Sequence, residues 1–215
     1  MFLDRFKKFG GDHIPNIIEY INEFIKKEPD VTISIGCDSE QKHKKTMYAI
    51  TIMFHNGDLR KGAHVVFFRE SSDKIKDNNE RLFKEAQYLH DLGIYLDSEL
   101  QSYTRLDLTT LERKKYKYHL LKCEGKYSHV PLHQDEVVTN SLFLSESDLV
   151  DFRKVDIHVD FNPFEGGTGD NGFTKNKSYS AYKSFVPWLR GLGFRTWAKP
   201  LSPASSSAAD LLLDE

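Results

Sequence analysis

The sequence has few of the features that would place it outside the ordinary globular proteins. It contains two cysteines, Cys37 and Cys123, which form no CxxC pair, so we expect reduced thiols and a cytoplasmic location rather than a disulfide framework. No run of residues approaches the roughly 18 apolar residues of a membrane span. The three apolar residues that open the chain are too few for a signal peptide.

An excess of one charge is also missing. The chain has 30 Lys and Arg against 32 Asp and Glu, for a formal net charge of -2. This balance excludes binding to nucleic acid through a global positive field, so any such binding must come from local patches. A length of 215 residues with 39% hydrophobic content predicts one globular domain over 1–215, or one domain with an insertion.

Hydrophobic periodicity predicts the element order β-β-β-α-insertion-β-α-β-α. Isoleucines at three- and four-residue spacings predict an N-terminal helix at about 13–28, with Asp12 or Asn16 as its N-cap. Hairpins give antiparallel pairs and helical crossovers give parallel pairs, which predicts an α/β fold with a mixed five-stranded sheet flanked by helices. The predicted strands are 31–37, 46–55, 62–70, 154–163 and 194–200, the further helices are about 77–96, 179–193 and 202–215, and the insertion is about 97–153.

Four acidic residues stand where a purely structural role is hard to explain. In the stretch ISIGCDSE, Asp38 ends the first predicted strand, and Asp160 lies near the end of the fourth. Glu85 borders the apolar stripe of the second helix, and Asp210 follows two alanines in the terminal helix. If the first and fourth strands are neighbours, both aspartates converge at one edge of the sheet, and the helices can bring the other two acids there.

Carboxylates that converge in this way cannot all stay ionised without a counter-charge. Mg²⁺ prefers oxygen ligands and suits phosphate chemistry, and two such ions would activate a water and stabilise a leaving oxygen. Each acid taken alone also has an ordinary explanation, as a turn residue, a solvated helix residue or a soluble chain end. The joint pattern, in this element order, favours the metal site.

Four separated blocks of the sequence resemble the bacterial DUF458 family of predicted RNase H-like nucleases. The blocks are IGCDSE with two long strands after it, HVDFNP, KSYSAYKSFVPWLRGLGF and KPLSPASSSAAD, and the resemblance covers roughly 31–95 and 154–213. It implies a ribonuclease H-like fold and two Mg²⁺ or Mn²⁺ ions, with Asp38, Asp160 and Asp210 as the matching acids. Glu85 is assigned by its place in the helix after the third strand, with Glu80 as the alternative.

The chain also departs from that family. Glu40 stands where the family usually has Gln, so DSE also resembles the DnaQ-like 3'-5' exonucleases of the same fold, and the segment 97–153 is longer than expected. We expect a metal-dependent nuclease acting on RNA, RNA–DNA hybrid or structured DNA. Two alternatives stay open: a non-catalytic RNase H-like module that binds nucleic acid or protein, and an exonuclease led by Asp38 and Glu40.

The candidate substrate-binding residues are cations beside the acids and cations in the insertion. A metal nuclease needs cations to offset substrate phosphates, which favours two lysines in the blocks that flank the acids. In the insertion, lysines interleave with a tyrosine, a pattern that follows phosphates and stacks bases or else forms an ordinary charged helix face. The first group is Lys177 and Lys199, and the second is Lys114, Lys115, Tyr116 and Lys117.

Two neighbours of the acids have simpler predicted roles. His158 shares the Asp160 face of its strand, and a core histidine with a satisfied hydrogen bond is favoured over a proton-transfer group. Cys37 precedes Asp38 but points to the opposite face, which predicts packing rather than a nucleophile.

Overall fold

The structure is a computed structural model, and it describes residues 4–55, 63–100, 153–163, 166–169, 172–199 and 202–214. The predicted hairpin turn at 56–58 and residues 101–152 of the predicted insertion, with its lysines and tyrosine, lie outside the described residues. In chain order the elements are β1 (Lys7–Lys8), α1 (Ile17–Lys27), β2 (Thr32–Lys42), β3 (Lys45–His55), β4 (His64–Asp73), α2 (Asn78–Glu99), β5 (Asp156–Val159), β6 (Gly166–Gly169), β7 (Gly172–Lys175), α3 (Tyr179–Gly191), β8 (Arg195–Trp197), a π-helical segment (Ala204–Ala209) and α4 (Asp210–Asp214).

Six strands form one mixed sheet in the order β1-β4-β3-β2-β5-β8, and β6 and β7 form a separate hairpin. The pairs β1–β4, β4–β3 and β3–β2 are antiparallel, whereas β5 is parallel to both β2 and β8. The predicted mixed α/β sheet flanked by helices is confirmed, and it is compatible with a ribonuclease H-like fold. β1 adds a sixth strand, whose two residues are too short a run to give a periodic signal.

The predicted adjacency of the first and fourth strands is also confirmed. Residues 34–37 of β2 pair in parallel with 156–159 of β5, so that Cys37 lies opposite Val159. A parallel pair needs a crossover connection, and the chain makes it through α2 and the segment after it. The strand that carries Asp38 and the strand that precedes Asp160 are therefore neighbours.

Different elements cover the two faces of the sheet. On one face, Ile35 and Ile157 belong to a large apolar cluster with residues of α1, α2 and α3. On the other face, Ala49 packs with Leu212 and Leu213 of the terminal segment. Since Asp38 lies directly opposite Ala49 and opposite residues share a face, the terminal segment covers the face that carries Asp38.

The helix starts follow ordinary capping chemistry. Asn16 Oδ1 accepts the N–H of Ile18 at 3.1 Å, which selects Asn16 over Asp12 as the N-cap of α1. Asp77 Oδ1 accepts the N–H of Glu80 at 2.8 Å, as the sequence predicts for α2. Because a side-chain acceptor satisfies an otherwise unpaired N–H, each cap contributes about 1 kcal/mol. None of the helices in the described ranges is long and apolar enough to cross a bilayer.

Several predicted boundaries are wrong. The fourth predicted strand ends at Val159 and not at 163, so Asp160 follows the strand. β2 runs to Lys42, so Asp38 lies inside the strand rather than at its end, because β3 continues to pair with β2 after β5 has stopped. The terminal helix is π-helical over Ala204–Ala209 and α-helical only afterwards. The sequence predicts Ser202 as the N-cap of this helix, but Ser202 Oγ makes no hydrogen bond, and its carbonyl accepts the N–H of Ser206 at 2.9 Å.

Candidate active site

Asp38 and Asp160 lie side by side where β5 ends. The β2–β5 pairing stops at Cys37 and Val159, and each aspartate is the next residue of its chain segment. Burial, followed by the charge of Asp160, raises the pKa of Asp38 from its ordinary 3.8 to about 7, although the N–H of Ser39 donates to Asp38 Oδ1 at 2.8 Å. Asp38 and Asp160, which the sequence predicts at one edge of the sheet, are therefore close enough to repel each other.

Glu85 reaches this place from α2 on the opposite side of the sheet. Its side chain is 1% exposed, and burial, followed by the charge of Asp38, raises its pKa well above the ordinary range. Its Oε1 accepts hydrogen bonds, whereas its Oε2 is buried with no hydrogen-bond partner. Glu80, the alternative acid, is exposed in the first turn of the helix. The structure therefore places Glu85, and not Glu80, beside Asp38.

Arg81 and Ser39 form a support around Glu85 that sequence reasoning missed. Ser39 Oγ donates to Glu85 Oε1, and Arg81 donates to Ser39 Oγ at 2.6 Å and to Glu85 Oε1 at 3.4 Å. Arg81 also donates to Asn78 Oδ1 at 2.9 Å, so its guanidinium is fixed from two sides. The four-residue spacing of Arg81 and Glu85, which puts both side chains on one face of a helix, is the sequence signal that could have identified this pair.

Lys199 contacts the acidic group directly. Its Nζ lies 2.7 Å from Asp160 Oδ2. Burial raises the pKa of Asp160, and the hydrogen bond and charge of Lys199 oppose that rise. Asp160 Oδ1 is buried with no hydrogen-bond partner. Lys177, the other predicted contact near the acids, is exposed just before α3, where its carbonyl accepts from Asn78 Nδ2 at 3.4 Å.

The terminal segment reaches the acids because its backbone rests on the sheet at Gly36. A Cβ at Gly36 would lie 2.2 Å from the carbonyl carbon of Ala204, so a larger residue has no room there. Thr51 Oγ1 donates to the carbonyl of Ala204 at 2.7 Å, and the N–H of Ala204 donates to His158 Nδ1 at 3.2 Å. We call Gly36, Thr51 and His158 the Ala204 seat.

Asp210 lies beyond this seat, at the start of α4. Its side chain is exposed, and its charge raises the pKa of both Asp38 and Asp160. The structure thus brings all four predicted acids into one electrostatically coupled group: Asp38, Glu85, Asp160 and Asp210. Asp210 has the least surrounding support of the four because it is exposed on a helix of only five residues.

The simpler roles of two neighbouring residues are confirmed. His158 is 1% exposed, and its Nδ1 accepts the backbone N–H of Ala204, so it is a core histidine that fixes the terminal segment. Cys37 is fully buried as a free thiol, and burial raises its pKa well above the ordinary value. A buried thiol with a raised pKa is a poor nucleophile.

The chemistry of the acidic group fits a hard divalent cation. Among the residues that the structure describes, no three or more His, Cys, Asp or Glu side chains already form a metal site. Two buried oxygens, Glu85 Oε2 and Asp160 Oδ1, lack a hydrogen-bond partner. Burial raises the pKa of Asp38, Glu85 and Asp160, and nearby acids raise it further despite Arg81 and Lys199. Oxygen donors with unmet negative charge are what Mg²⁺ and Mn²⁺ bind.

The pKa of Asp38 predicts how the stability of the metal-free protein depends on pH. Folding favours the protonated acid, so ionisation costs stability as pH rises from 3.8 towards 7, and that loss is complete above pH 7. The full difference corresponds to about 4 kcal/mol. We expect Asp38→Asn to stabilise the protein by about 2 kcal/mol at pH 8, since part of the side chain contacts solvent, and by little at pH 4.

Urea unfolding in EDTA at the two pH values measures this difference. Asp30→Asn, at an exposed turn, is the matched control and should change the free energy of unfolding by less than about 0.5 kcal/mol at either pH. An Asp38→Asn protein that gains no more stability at pH 8 than at pH 4 would contradict the prediction.

A family model described as Ribonuclease H-like matches residues 16–120 of the chain. The matched stretch contains Asp38 and Glu85, whereas Asp160 and Asp210 lie beyond it. Together with the mixed sheet and its helices, the match supports an RNase H-like family and does not confirm the narrower resemblance to DUF458. Comparisons with curated proteins and with solved structures found no match.

Proposed function

We propose that this protein is a metal-dependent nuclease that hydrolyses phosphodiester bonds of RNA, RNA–DNA hybrid or structured DNA. The observation that carries the proposal is the group of four coupled carboxylates at the end of β5, two of which keep a buried oxygen without a partner. The ribonuclease H-like family match supports nucleic acid as the class of substrate.

The four acids would hold two Mg²⁺ or Mn²⁺ ions. When bound, the two ions would supply a water of lowered pKa and charge stabilisation for the leaving oxygen. Asp38 and Asp160 would be the central ligands, because Asp38 lies within a paired strand and Asp160 directly follows one, and such backbone holds a ligand rigidly. Glu85 would bind through Oε2, since Ser39 and Arg81 occupy its Oε1. Asp210 would be the most mobile ligand.

Lys199 would provide the positive charge that substrate phosphates require. Its ammonium group already lies beside Asp160, and its side chain is 43% exposed, so a phosphate can reach it. Arg81 is less accessible, with a side chain 19% exposed, and its contacts direct it towards Glu85. Lys177 and the lysines of the insertion remain predicted contacts for the rest of the substrate.

The exonuclease alternative receives less support from the structure. Glu40 Oε2 is also buried with no hydrogen-bond partner, but Lys42 Nζ lies 3.2 Å from it, so Glu40 already has a counter-charge. The acids that raise the pKa of Asp38 are Asp160 and Asp210. The coupling within the acidic group therefore joins Asp38 to acids of distant chain segments, and Glu40 is not among the causes that raise its pKa.

The test of the proposed function uses the full chain with labelled RNA, RNA–DNA hybrid and branched DNA. We expect cleavage of at least one substrate with Mg²⁺ or Mn²⁺ and none with EDTA. Isothermal titration with Mn²⁺ measures ion binding independently of cleavage. A protein that cleaves none of the substrates and binds no Mn²⁺ would instead be the non-catalytic module.

Glutamine substitutions separate the two glutamates that could assist Asp38. We expect Glu85→Gln to lower the cleavage rate at least about tenfold, since changes around a metal ligand already cost 10- to 100-fold. Glu40→Gln should lower it less than about threefold, because Glu40 pairs with Lys42. Glu99→Gln, at an exposed position of α2, controls for the substitution itself. Equal losses in the Glu40 and Glu85 variants would favour the exonuclease alternative.

A further inference from the structure

A cavity of about 670 Å³ lies at the β1 edge of the sheet, the edge opposite β8. It is formed by β1, β4 and the turn after β1. Aromatic rings and cations dominate its lining, which includes Arg5, Lys7, Phe9, Phe67 and Arg69. None of the four acids of the candidate active site lines it.

Phe9 gives this cavity an accessible ring. Its side chain is 43% exposed, and its ring centroid lies 5.5 Å from that of Phe67. Gly10 and Gly11 follow with φ angles of 102° and 93°, a backbone conformation that side chains rarely adopt. The sharp turn they make fixes the ring beside the sheet edge.

Positive charge surrounds the two rings. The guanidinium of Arg69 lies 5.7 Å from the ring centroid of Phe67, and Lys7 is exposed on β1. Arg5 forms an ion pair with Glu70 and donates to the carbonyl of Arg69 at 3.0 Å. One acid, Asp4, also lines the cavity, so its cations outnumber its acids.

Part of the cavity lining lies on the sheet face that carries Asp38. Asp38 lies opposite Ala49, and Ala49 lies opposite Arg69, while Lys7 lies opposite Phe67 on the next strand. Opposite residues share a face, and so do residues two apart on one strand. Arg69, Phe67 and Lys7 therefore lie on the face of Asp38, with the Phe67–Lys7 pair two residues along β4 from Arg69.

Three strand spacings separate Asp38 from β1, which is about 15 Å. The terminal segment packs on Ala49 and against Phe67 between them, so a strand that reaches both places would pass along the outside of that segment. About four nucleotides of a stacked strand cover that distance.

We propose that this cavity binds a single-stranded stretch of nucleic acid, with a base against Phe9 and phosphates near Lys7 and Arg69. Aromatic stacking with flanking cations is how proteins bind single strands without reading their sequence. The inference rests on the proposed function for its class of ligand, and it adds a binding site that does not depend on the acids. The site would hold single strand about four nucleotides from the bond to be cleaved.

Fluorescence anisotropy with a labelled oligothymidylate, in EDTA so that no metal contributes, tests this site. We expect Phe9→Ala to weaken binding at least fivefold, the lower end of the effect of removing one stacking ring. Phe83→Ala is the matched control, because Phe83 is 42% exposed on α2, and it should change the dissociation constant less than twofold. Thermal unfolding checks that both variants are folded.

The salt dependence of binding tests the phosphate contact. Lys7→Gln should lower the slope of log affinity against log salt by about 0.7, the value for one phosphate of a single strand. Lys26→Gln, at the exposed end of α1, should leave the slope unchanged. Unchanged binding by both Phe9→Ala and Lys7→Gln would overturn the inference. The inference would also be overturned if polyglutamate competed with the labelled oligothymidylate as strongly as an unlabelled oligonucleotide of equal charge.

The failure of this site and the failure of the proposed function give different results. A parent protein that cleaves duplex substrates but binds no oligothymidylate would rule out the cavity site and would support the nuclease activity. If the parent protein cleaves no substrate but binds oligothymidylate, and Phe9→Ala loses that binding, the cavity site is supported and the nuclease activity is ruled out.

Discussion

Replacing Asp38 or Asp160 with asparagine is expected to lower metal-dependent cleavage at least about a hundredfold and to leave the fold intact. Asparagine keeps the shape of aspartate and removes its charge. Changes to the outer partners of metal ligands cost 10- to 100-fold, so the loss of a central ligand should cost at least as much. The fold should survive because burial raises the pKa of both acids, and the charge of Asp160 raises that of Asp38 further, so their ionised forms do not hold the sheet together.

Cleavage rates, Mn²⁺ titration and thermal unfolding of each variant measure these effects separately. Asp30→Asn at an exposed turn is the control, and it should retain the activity, the Mn²⁺ affinity and the melting temperature of the parent. Variants of Asp38 and Asp160 that are as active as the parent would refute the site. Variants that bind Mn²⁺ normally but do not cleave would assign these acids to a role other than holding the ions.

The main strands could be predicted from sequence because their apolar pattern is strong and hairpins connect them. The end of β2 could not, because the polar residues after Asp38 have the composition of a loop. They nevertheless continue the strand, since Ser39 lies opposite Tyr48 and Gln41 opposite Thr46 in β3. The pairing partner decides where such a strand ends, and propensity alone does not contain that information.

The acids of the candidate site could be named from sequence, but the contacts that support them could not. Carboxylates after an apolar strand are conspicuous, and the element order brings two of them to one edge. The hydrogen bond from Arg81 to Ser39 joins residues 42 apart, and the one from Thr51 to Ala204 joins residues 153 apart. Hydrophobic periodicity reports local structure, so contacts over such separations appear only once the chain is folded.

Gly36→Ala is expected to destabilise the protein by about 3 kcal/mol and to lower cleavage, because it disrupts the Ala204 seat. The new Cβ would lie 2.2 Å from the carbonyl carbon of Ala204 and 2.5 Å from the backbone nitrogen of Ser205. Backbone must shift to admit it, and overpacking of this kind costs about 1–3 kcal/mol. The shift would also weaken the hydrogen bonds of Ala204 to Thr51 and His158, each of which contributes about 1 kcal/mol.

Two other glycines provide matched controls for this substitution. At Gly93 the Cβ would meet the ring of Phe194 at 2.9 Å, and at Gly191 it would meet nothing within 4 Å. A side chain yields more easily than backbone, so Gly93→Ala should cost about 1 kcal/mol. Gly191→Ala, in the last turn of α3, should stabilise by up to about 1 kcal/mol through helix propensity.

Urea unfolding ranks the three variants, and hydrogen exchange over 204–213 shows whether the terminal segment has left the sheet. We expect faster exchange there in Gly36→Ala and not in the two controls. Because Asp210 follows Ala204 by six residues, the same variant should bind Mn²⁺ more weakly than the parent. A Gly36→Ala protein as stable as Gly191→Ala would show that the terminal segment does not rest on β2. Faster exchange with unchanged Mn²⁺ affinity would instead remove Asp210 from the proposed ligands, because the ions would then be held without the segment that carries it.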